Sequence, residues 1–136
     1  MFAIDASFLL DVDKKVPEAV QLLNSLKGED VILPFQTALE YLVGTDDPVS
    51  VLAGLETSYR IIHSSNEFLL EASELFERAM RSGRRPSWSN LQVAAVAALH
   101  HRDIITADGD VFEAMGLRTK LYRPPSARGK GRSQSV

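Results

Sequence analysis

The chain has 136 residues, 45% hydrophobic and 24% charged, which suffices for one core and not for two ordinary domains. With no cysteine, disulfides and thiolate metal sites are excluded; carboxylates, three histidines and hydroxyls remain, so any metal bound here would be a hard one. The formal net charge of −3 is unevenly spread: all 18 acids and 11 of the 15 basic residues lie within 1–122, a body of −7, while 123–136 carries +4. No apolar run approaches a membrane span and no signal-peptide pattern opens the chain, so a cytoplasmic protein is expected.

Phe2-Ala3-Ile4 is a short apolar run closed by Asp5, the pattern of a buried strand that delivers a carboxylate at its end. Asp5-Ala6-Ser7 opens a helix. Val16, Ala19, Val20, Leu22, Leu23 and Leu26 recur at helical spacing before Gly28, and Val31-Ile32-Leu33 is a second strand ended by Pro34. Phe35 to Val43 is a helix that carries Glu40. Asp47-Pro48 reads as an N-cap and first helical residue, opening a helix to about Glu56, and Tyr59 to His63 as a third strand.

Ser64 and Glu67 have capping-box spacing, and a long helix follows to Gly83, with Arg78, Arg81, Arg84 and Arg85 clustered at its exit. Ser87 caps the next helix, Trp88 to His101, whose Val93 to Leu99 stretch is apolar nearly all round and therefore buried. Ile104-Ile105-Thr106-Ala107 repeats the opening device and stops at Asp108-Gly109-Asp110. A short helix from Asp110 to Met115, Gly116 as its stop and a strand over Thr119 to Tyr122 complete the body. Residues 123–136 have almost no apolar side chains and read as a disordered basic tail that either solubilises the chain or binds polyanions.

Strands alternating with helices predict an α/β fold with a parallel sheet covered on both faces. Ligands bind such sheets at the carboxyl ends of the strands, where the strand order reverses. With the Asp5 and Asp108 strands adjacent at the centre, their carboxylates meet in that crevice, and Glu40 can reach it from the side. Clustered carboxylates repel unless they share a proton or a cation. Oxygen ligands favour Mg²⁺ or Mn²⁺, and the usual chemistry of such a site is in-line attack of water on a phosphodiester.

Ala3-Ile4-Asp5-Ala6-Ser7, Thr37-Ala38-Leu39-Glu40 and Ile105-Thr106-Ala107-Asp108-Gly109-Asp110-Val111-Phe112 resemble the three acidic motifs of the PIN domain family, the nuclease fold of many virulence-associated-type prokaryotic toxins. The resemblance covers nearly all of 1–122. It implies a three-layer PIN-like fold, a short central parallel sheet flanked by helices on both faces, and a Mg²⁺- or Mn²⁺-dependent endoribonuclease, the toxin of a toxin–antitoxin pair. It also implies RNA as substrate, an antitoxin and a second copy of the chain as partners, and Asp5, Glu40 and Asp108 as catalytic metal ligands, with Asp110 assisting and Ser7 bonded within the cluster. One position departs from the pattern. Where the family has its third acid, this chain has Asn90, whose amide oxygen can bind a cation with one negative charge fewer.

A cleft of acids repels phosphate, so RNA would be held by Arg81, Arg84 and Arg85, with Trp88 as a stacking surface; the other reading of these residues is a solvated helix end and a packing residue. Asp110 reads equally as a helix cap, and Asp11 and Asp13 as a charged helix exit. His100 and His101 close a helix C-terminus, and no histidine spacing suggests zinc. Two other functions compete: a PIN-like domain without catalysis that binds RNA or protein, which Asn90 would favour, and a phosphotransfer domain, which the lack of Asp-x-Asp after the first strand disfavours.

Overall fold

A computed structural model of the protein describes residues 1–122. The basic segment 123–136 and its expected disorder lie outside the described residues. In chain order the elements are β1 (Phe2–Ile4), α1 (Ala6–Asp13), α2 (Pro17–Ser25), β2 (Val31–Pro34), α3 (Phe35–Val43) and α4 (Pro48–Ser58). They continue as β3 (Arg60–Ile62), α5 (Asn66–Arg81), α6 (Trp88–Leu99), β4 (Asp103–Thr106), α7 (Asp110–Ala114) and β5 (Thr119–Leu121).

At least one helix separates every pair of consecutive strands, so neighbouring strands pair in parallel, and the sheet order is β3-β2-β1-β4-β5. Ile4 lies opposite Ile105 in the central β1–β4 pair, and Leu33 opposite Ile61 at the β2–β3 edge. The strand order reverses between β1 and β4. That is the crevice in which a parallel α/β sheet binds its ligands.

The pleat sends alternate residues to opposite faces. Ala3, Ile32 and Ile104 point into a core closed by α5, α6 and α7, and Ile4, Leu33 and Ile105 into one closed by α1, α2, α3 and α4. Both faces are thus dry, which is why the central strands read as unbroken apolar runs. On α6, Leu91 and the run Val93-Ala94-Ala95-Val96-Ala97 are buried, and the three alanines bring the helix close to β1, β2 and β4. Phe8 and Ile4 are wholly buried, each contributing about 1.5–3 kcal/mol by removal from water.

Three local expectations are corrected. The Ser64–Glu67 capping box does not form: Ser65 is the N-cap of α5, without a side-chain cap bond. Starting one residue later turns Phe68 inward against the core. Helix α6 stops at Leu99; His101 takes a left-handed conformation (φ 54°), and the Arg102 N–H closes the end on the Ala97 carbonyl. Asp11 is no charged exit but 5% exposed, accepting the Tyr122 hydroxyl at 2.5 Å, and Asp13 accepts the Tyr41 hydroxyl at 2.7 Å.

Candidate active site

The last residue of β1 delivers Asp5 to the carboxyl edge of the sheet, where its backbone N–H still bonds the Ile105 carbonyl of β4 at 3.2 Å. Its side chain then turns back to cap α1, accepting the Phe8 N–H at 3.3 Å. Ser7 donates its hydroxyl to the same Oδ1 at 2.6 Å and accepts the Ala107 N–H at 3.2 Å. Asp5 is therefore tied to the β4 exit through both backbone and side chain.

Thr106 completes the tie. Its hydroxyl donates to Asp5 Oδ2 at 2.5 Å, and its oxygen accepts the Asp108 N–H at 3.3 Å. One hydroxyl thereby fixes the spacing between a carboxylate and the turn that carries the second. Asp108 Oδ1 accepts the Asp110 N–H at 3.2 Å, holding the turn into α7. Gly109 lies inside this turn, where a Cβ would come within 2.7 Å of the Thr119 hydroxyl on β5, so any larger residue would force Thr119 to shift. Thr37, wholly buried, donates to the Ile4 carbonyl at 2.7 Å and so seats α3 against the end of β1.

Asp5 is 8% exposed. Burial pushes its carboxyl above the ordinary carboxylate range, while the Ser7 and Thr106 hydroxyls and the Phe8 N–H pull it back. Hydroxyl and backbone donors surround this carboxyl, but no salt bridge reaches it among the described residues, so burial of its charge is only partly offset.

Asp5, Ser7, Asn90, Thr106 and Asp108 line one cleft of about 440 Å³, together with Arg84, Arg85 and Ser87. The sequence-expected residues divide accordingly. Asp5, Ser7, Asn90, Asp108, Arg84 and Arg85 come together. Asn90 is aimed by the start of α6, where its N–H bonds the Ser87 hydroxyl at 3.0 Å. Asp110 stands at the edge, its carboxylate 3.4 Å from the Arg84 guanidinium, and it does not cap α7, whose N-cap is Gly109.

Glu40 does not line the cleft. Its two oxygens accept the Ser89 hydroxyl at 2.8 and 2.9 Å, joining α3 to the first turn of α6 beside Asn90. Arg81 is exposed in the last turn of α5, and Arg78 reaches the Met115 carbonyl at 3.4 Å. Trp88 is 67% exposed and stacks on Phe76 in a separate, apolar groove. Sequence reasoning missed Thr106 as the bridge between the two acids. The signal was available: a hydroxyl two residues before an acid at the end of a buried strand.

Among the described residues, no three acidic or histidine side chains gather closely enough to hold a metal ion. The groups in the cleft able to bind a cation are two carboxylates, one amide oxygen and three hydroxyls, all of them oxygen. That set fits a hard cation that keeps much of its water, as Mg²⁺ does, better than one needing an all-protein cage.

No protein-family model matches the chain, and no curated protein does. Solved structures are similar. The crystal structure of FitAcB from Neisseria gonorrhoeae aligns with a TM-score of 0.75 at 23% identity, covering 88% of this chain and 96% of that one. VapBC2 from Rickettsia felis, bound to a DNA fragment from their promoter, gives 0.75 at 15% identity over 90% and 98%. A toxin–antitoxin complex from Klebsiella pneumoniae gives 0.67 at 20% over 82% and 90%. At these identities the likeness is one of fold, and with its strand order and three layers the chain has the PIN-like α/β fold.

Proposed function

We propose that the protein is a Mg²⁺- or Mn²⁺-dependent endoribonuclease, the toxin of a toxin–antitoxin pair, acting in the cytoplasm as a homodimer. The observation that carries this reading is the pairing of Asp5 and Asp108 in the switch-point cleft through the single hydroxyl of Thr106. The similar folds add weight, since one is titled a toxin–antitoxin complex and another was solved with DNA. Among the described residues no helix is long and apolar enough to cross a membrane.

In this reading Asp5 and Asp108 would hold the cation, with the Asn90 amide oxygen beside them. When bound, the cation lowers the pKa of a coordinated water and stabilises charge on the phosphate. The chain's own residues do the rest. Ser7 and Thr106 donate to Asp5, aiming its carboxyl and partly offsetting the burial that opposes its charge. Arg84 and Arg85, in the lining of the same cleft, offset the repulsion between an acidic cleft and a phosphodiester. Glu40 secures Ser89, and so the helix start that presents Asn90.

A second reading, a PIN-like domain that binds without cleaving, is favoured by the neutral Asn90 and by the lack of a three-acid cluster among the described residues. RNA incubated with the protein and Mn²⁺ should be cut, and cutting should stop with EDTA and in Asp108→Asn. Intact RNA in every lane, together with retained RNA binding, would decide for the second reading.

A further inference from the structure

An aromatic platform adjoins the acid cleft. Trp88, the chain's single tryptophan, is the first residue of α6 and is 67% exposed. Its ring stacks on Phe76 of α5, with centroids 6.1 Å apart and planes 20° from parallel. The Arg85 guanidinium sits 5.7 Å from the same Phe76 ring. Arg85 also lines the acid cleft, as does Ser87, the residue before Trp88. A cation and a solvent-facing indole thus share one aromatic support, and the cation lines the same cleft as Asp5 and Asp108.

Resting on the ribonuclease reading, we propose that this platform selects single-stranded RNA: an unpaired base flanking the phosphate in the cleft stacks on Trp88, while Arg85 meets the backbone. A π-face accepts any base, but only one free of its own stack, so a duplex cannot use it. Trp88 is held flat by Phe76, so little side-chain freedom is lost when a base lands on it. The groove that continues from Trp88, about 570 Å³ and lined by Phe35, Phe68, Phe76 and Leu91, is apolar enough to invite a protein partner as well. The cationic Arg85, which lines the acid cleft and lies over the ring that supports Trp88, favours nucleic acid at the Trp88 end.

The test uses the full chain in EDTA, so that cleavage does not enter, with a fluorescein-labelled single-stranded RNA oligonucleotide and the same sequence as a duplex. Single-stranded RNA should quench the emission of Trp88, and the duplex should not. Trp88→Ala should weaken single-strand binding roughly five- to a hundredfold, with the salt slope unchanged because no charge is removed. Trp88→Phe should restore part of the affinity. Equal single-strand affinity for wild type and Trp88→Ala, or equal losses for both substrates, would overturn the proposal. So would emission that responds to protein concentration and not to RNA, which would assign the face to a protein contact. Failure of the intact protein to bind any RNA would overturn the ribonuclease reading along with it, a result distinct from RNA bound without Trp88.

Discussion

Thr106 is the residue on which the geometry of the two acids turns. Its hydroxyl donates to Asp5 Oδ2 and also receives the Asp108 N–H. Thr106→Val keeps the shape and deletes both bonds. A buried acceptor left without its donor costs about 1–3 kcal/mol, so urea unfolding should show a loss of that size, and Thr106→Ser should recover most of it. An unchanged midpoint in Thr106→Val would mean that the hydroxyl does not set the spacing. Asp5 and Asp108 were legible in the sequence because each closes an unbroken apolar run, which only a strand end explains. Thr106 and Asp11 were not, because their partners lie 101 and 111 residues away, and nothing in local periodicity reports so distant a contact.

At the scale of elements, the start of α6 is fixed from two sides. Ser87 caps it, and Ser89 is gripped by Glu40 of α3, so the helix start that brings Asn90 to the cleft is held in place. Asn90→Asp therefore adds a negative charge to the donor set without moving the helix, and a carboxylate in the first turn also suits the helix dipole by about 0.3–1 kcal/mol. Calorimetry should show Mn²⁺ binding tightened tenfold or more, equivalent to about 1.4 kcal/mol, and RNA cleavage raised. Unaltered affinity would place Asn90 outside the metal site. Helix and strand identities were legible throughout, since their apolar periods are unambiguous. Their ends were less so. The Ser64–Glu67 spacing matched a capping box, but α5 starts one residue later, with Phe68 partly buried against the core. The arginine cluster is likewise dispersed. Gly83 turns left-handed (φ 79°) after α5, and the Arg84 N–H closes on the Ala79 carbonyl, which sends Arg84 and Arg85 to the cleft and leaves Arg81 outside.

Taken as a whole, the molecule keeps its phenols neutral. Burial raises all three tyrosines, helped by Asp13 at Tyr41, which is pushed up to about 12, and by Asp11 at Tyr122. The stability these neutral phenols contribute is fully present below the unfolded value near 10 and is lost as the pH rises through the higher folded values. Absorbance at 295 nm should therefore show little tyrosinate in the native protein at pH 10, where the denatured chain is about half ionised, and unfolding should set in above that. Half-ionised tyrosine in the native protein at pH 10 would contradict the Tyr41–Asp13 and Tyr122–Asp11 contacts. The layered fold and the switch-point cleft followed from strand and helix alternation alone. The tie from β5 back to α1 through Tyr122 did not, because it joins residues at opposite ends of the described chain.

The sheet order has a bearing on how such a protein is made. β1 is the first strand to leave the ribosome, and its neighbour β2 follows within about thirty residues, but the neighbour that gives Asp5 its Thr106 bond is β4, whose last residue is number 106. Until then Asp5 has no second acid beside it, and the half-built sheet has an open edge where β4 will lie. No truncated product of translation that ends before β4 can assemble the cleft. The two acids of the cleft thus come together only when β4 and the turn after it have been added, late in the synthesis of the chain.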